Sequence, residues 1–419
     1  MRALPMVFLV ALVGSMSCVE HTPLVTGTVD TLDVQLMEPA ADQLGSPQAP
    51  VSVQQALFNI VARDKAGKVV PTDLEADIFI SFGGIKTGAD SACGADASGN
   101  NPIEKVTLKG GMLMGHVTPL PSAYGATSIW VEEPTSHATG ASPTIYFRNP
   151  LIGEVQTPPD LKAQNATFCS PFNNKFVVID KPSPGGQLVV TSVFSGAFVV
   201  TDTGASTFNN IYLYAFGKPP PYIQPGKVIT TFSGNYSKFV GFTELNFPLF
   251  TAADASVPLA TVPPPVDLAF TDLGNIGKML GADAGTVRYT GTICNPLPPN
   301  PNKDPNIQKT IDSWNKFNQF VLDADSTCGS FTNMAVELSA KVMGTFDPLQ
   351  NVGKTMTVVG MLQNHSGQNP VVDGNGNTVS CTTQSPCAKG VCIMGECFKN
   401  AYNFWDILPR TADDISISQ

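Results

Sequence analysis

The chain has 419 residues, and 24 Lys and Arg against 34 Asp and Glu give it a formal charge of −10, with only 14% of residues charged. Such acidity makes a nucleic-acid partner unlikely, because phosphate affinity comes from Lys and Arg releasing counterions. The sparse charge, with 37 Gly and 35 Pro, excludes a Lys/Glu-rich coiled coil or an α/β enzyme with long helices and points to turn-rich β-structure in two or three domains.

Arg2 precedes an apolar stretch from Ala3 to Val13, followed by Gly14, Ser15, Met16, Ser17 and Cys18. The run is shorter than the ~20 apolar residues a membrane span needs. Its charged start, apolar middle and small-residue end read as an export signal over residues 1–17. A cysteine directly after the small residues resembles the lipobox of bacterial lipoproteins, although Ser15 stands where that family usually has Leu. The resemblance implies acylation of Cys18, a tether over 18–27 and a membrane partner reached through the lipid anchor. More than one acyl chain is then needed for stable anchoring, at ~0.8 kcal/mol per buried CH₂. Secretion with cleavage nearby is the alternative.

Residues 28–150 carry strand after strand with period two: Leu32, Val34 and Leu36; Phe58, Ile60 and Ala62 before the Asp64–Gly67 turn; Ile78, Ile80 and Phe82; Val106 and Leu108 before a Gly110-Gly111 hairpin; Leu113 to Val117; and Ser128 to Val131. Short strands separated by Gly, Pro and Asp turns predict a β-sandwich. The segment resembles the Ig-like modules of bacterial exported proteins in its Asp64–Gly67 turn, its Gly110-Gly111 pair and Tyr124-Gly125 ahead of Trp130. Residues 85–104 read as a loop insertion that Cys93 ties down, and 151–185 as a junction.

Over 186–260 the strands Val189 to Gly196 and Phe198 to Asp202, the run Gly226-Lys227-Val228, Gly234 and Gly241-Phe242-Thr243-Glu244-Leu245 resemble OB-fold-like modules attached to secreted bacterial nucleases and esterases. A Pro-rich linker over 261–285 leads to a second copy over 286–419. Its strands are expected at Thr286–Gly291, Phe317–Asp323, Asn333–Ser339, up to Gly360, and at Phe404–Ile407. The run Leu349-Gln-Asn-Val-Gly353-Lys354 echoes Ile223-Gln-Pro-Gly226-Lys227; two unrelated hairpins with similar turns are the alternative. The expected class is thus all-β: an Ig-like β-sandwich followed by two OB-like β-barrel modules, the second with a small disulfide-rich insertion over 381–397. The whole chain resembles predicted lipoproteins of the myxobacterial type.

If Cys18 is lipidated, Cys93, Cys169, Cys294, Cys328, Cys381, Cys387, Cys392 and Cys397 remain as an even set, as disulfides in an oxidising compartment require. Cys294 and Cys328 fall in one module and are expected to pair, which leaves Cys93 with Cys169. The last four suit two bridges within their own segment, whereas zinc would favour C-x₂-C pairs that are absent.

No G-x-S-x-G, H-E-x-x-H, G-x-x-x-x-G-K-[ST] or G-x-G-x-x-G motif is present. Of the four histidines, His21 lies in the tether, His116 reads as a packed or edge-strand residue and His365 as an exposed loop residue; His137 carries no motif. Glu132-Glu133 would point to opposite faces of a strand, a poor acid/base pair and rather a solvated strand end. Asp373-Gly-Asn375-Gly-Asn377 has alternating oxygen ligands but lacks the later Glu of a calcium loop, so it reads as a hairpin turn. No catalytic residue, metal or cofactor is expected. Rings that could stack on a ligand are Phe198, Tyr212 and Tyr214, although core packing competes for them. The expected function is a non-catalytic binding or scaffolding lipoprotein, exported to the periplasm or outer membrane, with envelope proteins or a polysaccharide as partners. The alternatives are an accessory module binding carbohydrate or nucleic acid for an exported hydrolase, or a hydrolase whose site assembles from distant residues.

Overall fold

The computed structural model describes residues 28–82, 85–87, 102–120, 123–159, 161, 170–172, 174–239, 241–301, 305–324, 328, 334–370, 379, 391–393 and 396–418, with the backbone alone at 82, 85–87, 305–306, 309, 365–370, 391–393 and 396–404. The export signal, Cys18, the tether, Cys93, Cys169, Cys381, Cys387, the Asp373–Asn377 turn and most of the 85–104 loop lie outside these residues.

The first module is a sandwich. One sheet joins β1 (Thr31–Glu38), β2 (Gln55–Arg63) and β6 (Met112–Pro119). The other is built on β3 (Leu74–Phe82) and β7 (Ala126–Glu132), flanked by β4 (Ile85–Thr87), β5 (Glu104–Leu108), β8 (Thr139–Ala141) and β9 (Ile145–Tyr146). Alternation drives this: Leu32, Val34, Phe58, Ile60, Ile78 and Ile129 turn inward into one core, while Asp33 faces out and pairs with Arg63 at 3.0 Å. The Gly110-Gly111 pair closes a tight two-residue turn, with Lys109 and Met112 bridged antiparallel and the Met112 N–H donating to the Lys109 carbonyl at 3.1 Å, but the strands part beyond it. Both glycines are left-handed, and they hand the chain from β5 in one sheet to β6 in the other. Gly140 on β8 sits where a Cβ would lie 1.7 Å from the Leu32 carbonyl oxygen of β1. Gly140→Ala must therefore push β8 off β1, and we expect a loss of about 1–3 kcal/mol or more, read as a lower urea midpoint.

The junction is not a bare connector. It holds α1 (Ile152–Gln156) and β10 (Phe176–Ile179), and β10 pairs with the next module. Tyr124 leaves the sandwich to join Ile152, Val155 and Phe172 in the following core. The Arg148 guanidinium lies 5.4 Å over its ring and forms a two-pronged pair with Glu154. Burial, and then the Glu154 charge, push the Tyr124 hydroxyl up to about 12.

That core belongs to a closed barrel of β11 (Leu188–Val193), β12 (Ala197–Asp202), β13 (Asn210–Tyr214), β14 (Val228–Phe239) and β15 (Phe242–Ala252). The strands run β14-β11-β12-β13-β15 and back to β14, and β13 and β15 are parallel. In order of appearance this is 1-2-3-5-4-1, an OB-like barrel.

The 261–285 segment likewise carries structure: β16 (Val266–Leu268), parallel to the strand that follows, and α2 (Ile276–Ala282), capped by Asn275. The second barrel repeats the first topology with β17 (Thr286–Ile293), β18 (Gln319–Asp323), β19 (Met334–Glu337), β20 (Thr355–Pro370) and β22 (Glu396–Leu408). β17 closes on β20, and β19 and β22 are parallel. The additions are α3 (Pro305–Phe317), α4 (Ala340–Met343), β21 (Val391–Ile393) and β23 (Ile415–Ser418). His365 lies within β20, opposite Phe404, rather than in a loop. The expected Cys294–Cys328 disulfide is present and ties the end of β17 to the segment after β18. Cys392 and Cys397 face each other in the β21–β22 register.

The echoed turns play the same part in both barrels. Gly226 and Gly353 are left-handed, and each donates its N–H to the first strand of its barrel, Gly226 to Val190 at 2.8 Å and Gly353 to Ile293 at 2.9 Å.

Candidate functional site

The two barrels pack against each other. Val199 and Phe242 of the first barrel cluster with Ala284 and Met361 of the second, and Phe194, Tyr212 and Leu408 pack around them. Phe208 seals the joint: its N–H donates to the Gly281 carbonyl at 2.7 Å, and its ring packs on the second core.

This seam sorts the three sequence-predicted rings. Phe198 pairs in register with Leu213, on the inward face, and is fully buried edge-on to Phe250 at 5.0 Å. No ligand can reach it in this fold. Tyr212 and Tyr214 share the outward face and stack at 6.3 Å and 18°, yet Tyr212 is occupied by the seam, 5.2 Å from Phe242 and 6.2 Å from Phe194. Burial raises its hydroxyl first, and the Glu244 charge adds to that.

From Tyr214 the row continues into solvent through two residues the sequence reading missed. Phe216 lies 4.2 Å from Tyr214, and Phe247 stacks on Phe216 at 4.5 Å and 16°. They are 55% and 65% exposed, next to Leu249 at 68%. Both backbones are left-handed, with φ 57° and 53°, a conformation that costs a bulky residue about 1–2 kcal/mol. Phe216 turns the chain where Pro219, Pro220 and Pro221, lacking N–H groups, cannot prolong β13. Phe247 sits in a β-bulge: Ser233 and Asn235 of β14 oppose Leu249 and Asn246, so β15 carries one extra residue there. Bulges re-aim side chains, and this one turns a phenyl ring outward. The signal available in the sequence was an aromatic residue ahead of proline at both places.

Beyond the rings the same outer face forms a shallow depression of about 160 Å³ lined by Val178, Thr231, Ser233, Leu249 and Thr251. Its lining is apolar or hydroxylic, with no charged side chain. Behind the row, the Ser237 hydroxyl donates to Glu244 at 3.2 Å and accepts from Asn246 at 3.0 Å. Burial raises the Glu244 carboxyl above its ordinary range despite these bonds. The arrangement can bind a flat, uncharged face by stacking and its hydroxyls by hydrogen bonds.

Other polar groups have structural roles. The His116 Nε2 lies 3.0 Å from Glu104 on an edge strand. Glu132 accepts from the Trp130 indole at 2.8 Å. Glu133 is 4% exposed, not solvated, because it accepts the N–H groups of Thr135 and Ser136 in a tight turn. Ligand atoms of Cys294, Asp323 and Cys328 gather within 4.8 Å of one another, but the disulfide leaves no thiolate there for a metal.

No protein family, curated protein or solved structure matches the chain.

Proposed function

We propose that the chain is a non-catalytic, lipid-anchored protein of the cell envelope whose first barrel holds a neutral polysaccharide on the Phe216–Phe247 platform. The observation that carries this reading is the pair of exposed, mutually stacked rings held in left-handed backbone. The surrounding bulge and turn hold both rings in this costly conformation, and flat aromatic faces stack on sugars. The uncharged depression beside the rings suits hydroxyl-rich ligands, and the net charge of −10 opposes polyanions. The anchor rests on the N-terminal sequence, and mass spectrometry of the mature N-terminus tests it: an unmodified first residue rejects it.

Binding is tested by electrophoresis of the whole mature protein through gels containing a neutral β-glucan or mannan, with dextran sulfate and single-stranded DNA as controls. Retardation by a neutral polymer is expected, with affinity falling about tenfold or more in Phe216→Ala and Phe247→Ala, as loss of one stacking contact predicts. Phe247→Gly should weaken binding while raising the thermal midpoint, since glycine adopts the left-handed conformation freely. Equal retardation of wild type and both alanine variants, or retardation only by polyanions, rejects the reading.

A further inference from the structure

Barrels of this topology meet their ligands on the outer face of the second and third strands. In this chain that face of the first barrel is turned against the second barrel, which meets it with Met361 of β20, Leu408 of β22 and Ala284. Val199 on β12 and Tyr212 on β13 lie in the seam, and the Glu337 charge of β19 acts on the Tyr212 hydroxyl. Next to Glu337, Gln319 on β18 donates to both oxygens of Asp406 on β22 at 2.8 Å.

We propose that the packed double barrel is a self-masked state, and that ionisation of carboxylates buried along the seam parts the barrels and frees the Val199–Tyr212 face. The geometry centres on Asp283. It is 4% exposed, at the joint between α2 and β17, directly before Ala284, whose φ of 60° turns the chain into the seam. Its carboxylate accepts the Asn364 N–H at 3.2 Å. The cation acting on it is Lys238 at the end of β14, whose amine donates to Thr243 at 2.5 Å. Of the other ionisable groups among the described residues, Tyr212 packs in the seam, the charges of Glu244 and Glu337 act on it, and Glu337 in turn acts on Asp406.

Burial outweighs Lys238 and pushes the Asp283 carboxyl up to about 7. Glu244 and Glu337 are raised by burial too. Asp406 is raised well above its ordinary value by burial and then by Glu337. All four shifts have one sign. A carboxyl whose closed-state pKa is raised favours closure at low pH, and that contribution is lost as pH rises through the closed-state value. For Asp283 the loss between pH 6 and 8.5 amounts to a rise in the open population on the order of tenfold.

Three methionines report the opening. Met361 lies in the seam at 1% exposure, Met356 is fully buried inside the second barrel and Met114 is 64% exposed on the sandwich. The whole protein is treated with dilute hydrogen peroxide at pH 6 and pH 8.5, and sulfoxide at each position is read by peptide mass spectrometry. Relative to Met114, Met361 should oxidise at least about tenfold faster at pH 8.5 than at pH 6 while Met356 stays protected, and Asp283→Asn should cut that pH step by about tenfold. Equal protection of Met361 at both pH values overturns the proposal. So does joint oxidation of Met361 and Met356, which reports unfolding, or an unchanged pH step in the Asp283→Asn protein.

Discussion

Replacing both Cys294 and Cys328 with alanine should lower the stability of the second barrel by about 3–4 kcal/mol, the loop-closure contribution expected for a cross-link of this span. The two cysteines are 34 residues apart, and the segment they close carries α3 and β18. Without the bridge the unfolded chain regains the entropy of that whole loop. Trp314 of α3, 9% exposed in the second core, would be held by packing alone. For a unit of this size the loss corresponds to a fall of roughly 10 °C in the thermal midpoint. Calorimetry should show it in the double-alanine protein and, in the same direction, in wild type with reductant. A midpoint unmoved by both treatments would show that the barrel does not depend on the bridge.

The second large effect is expected at Asp406. This carboxyl is completely buried, and burial followed by the Glu337 charge raises it well above its ordinary value, against the Gln319 hydrogen bonds. The folded state therefore holds a proton that the unfolded state releases near pH 4. Stability from this site is full below the unfolded pKa and falls as pH climbs toward the folded one. Asp406→Asn keeps a carbonyl for Gln319 and removes the ionisable group. We expect its thermal midpoint to exceed that of wild type at pH 8 and the gap to shrink toward pH 4. Urea midpoints measured across that range check the sign: a gap that widens toward acid would mean that the carboxylate is ionised and stabilising in the fold. Asp414, lowered by its Arg410 partner, and Asp33, lowered by Arg63, pull the global profile the other way. The comparison therefore has to be made between variant and wild type.

Much of the architecture was legible because local rules decide it. Period-two runs such as Leu32/Val34 and Phe58/Ile60 specify half-buried strands wherever they pair. The turns at Gly226 and Gly353 demand left-handed backbone, so their echo marked two copies of one barrel. β10, β16 and α2 were hidden in segments read as connectors, since each is short and forms only because a neighbouring strand or barrel accepts it. The ligand rings failed for a sharper reason. Phe198 and Tyr212 lie on adjacent strands, and a one-residue change of register exchanges the inward and outward sets; the observed pairing of Phe198 with Leu213 sends Phe198 to the core. Phe216 and Phe247 acquire meaning only once it is known which barrel edges are covered, and that is a property of the assembled chain.

The face-to-face packing of the barrels also sets the valency of the molecule. A duplicated module ordinarily offers two equivalent sites, and a tethered pair of sites raises avidity without any new contact. Here the first barrel spends the outer face of β12 and β13 on the second. The exposed aromatic row belongs to the first barrel alone, and among the described residues the one close ring pair of the second is Phe320 with Phe346. Each chain should therefore titrate as monovalent. On the proposed function, any strengthening by multiplicity has to come from many chains side by side on one surface, so the density of chains there, rather than the repeat within each, would govern how firmly a long polymer is held.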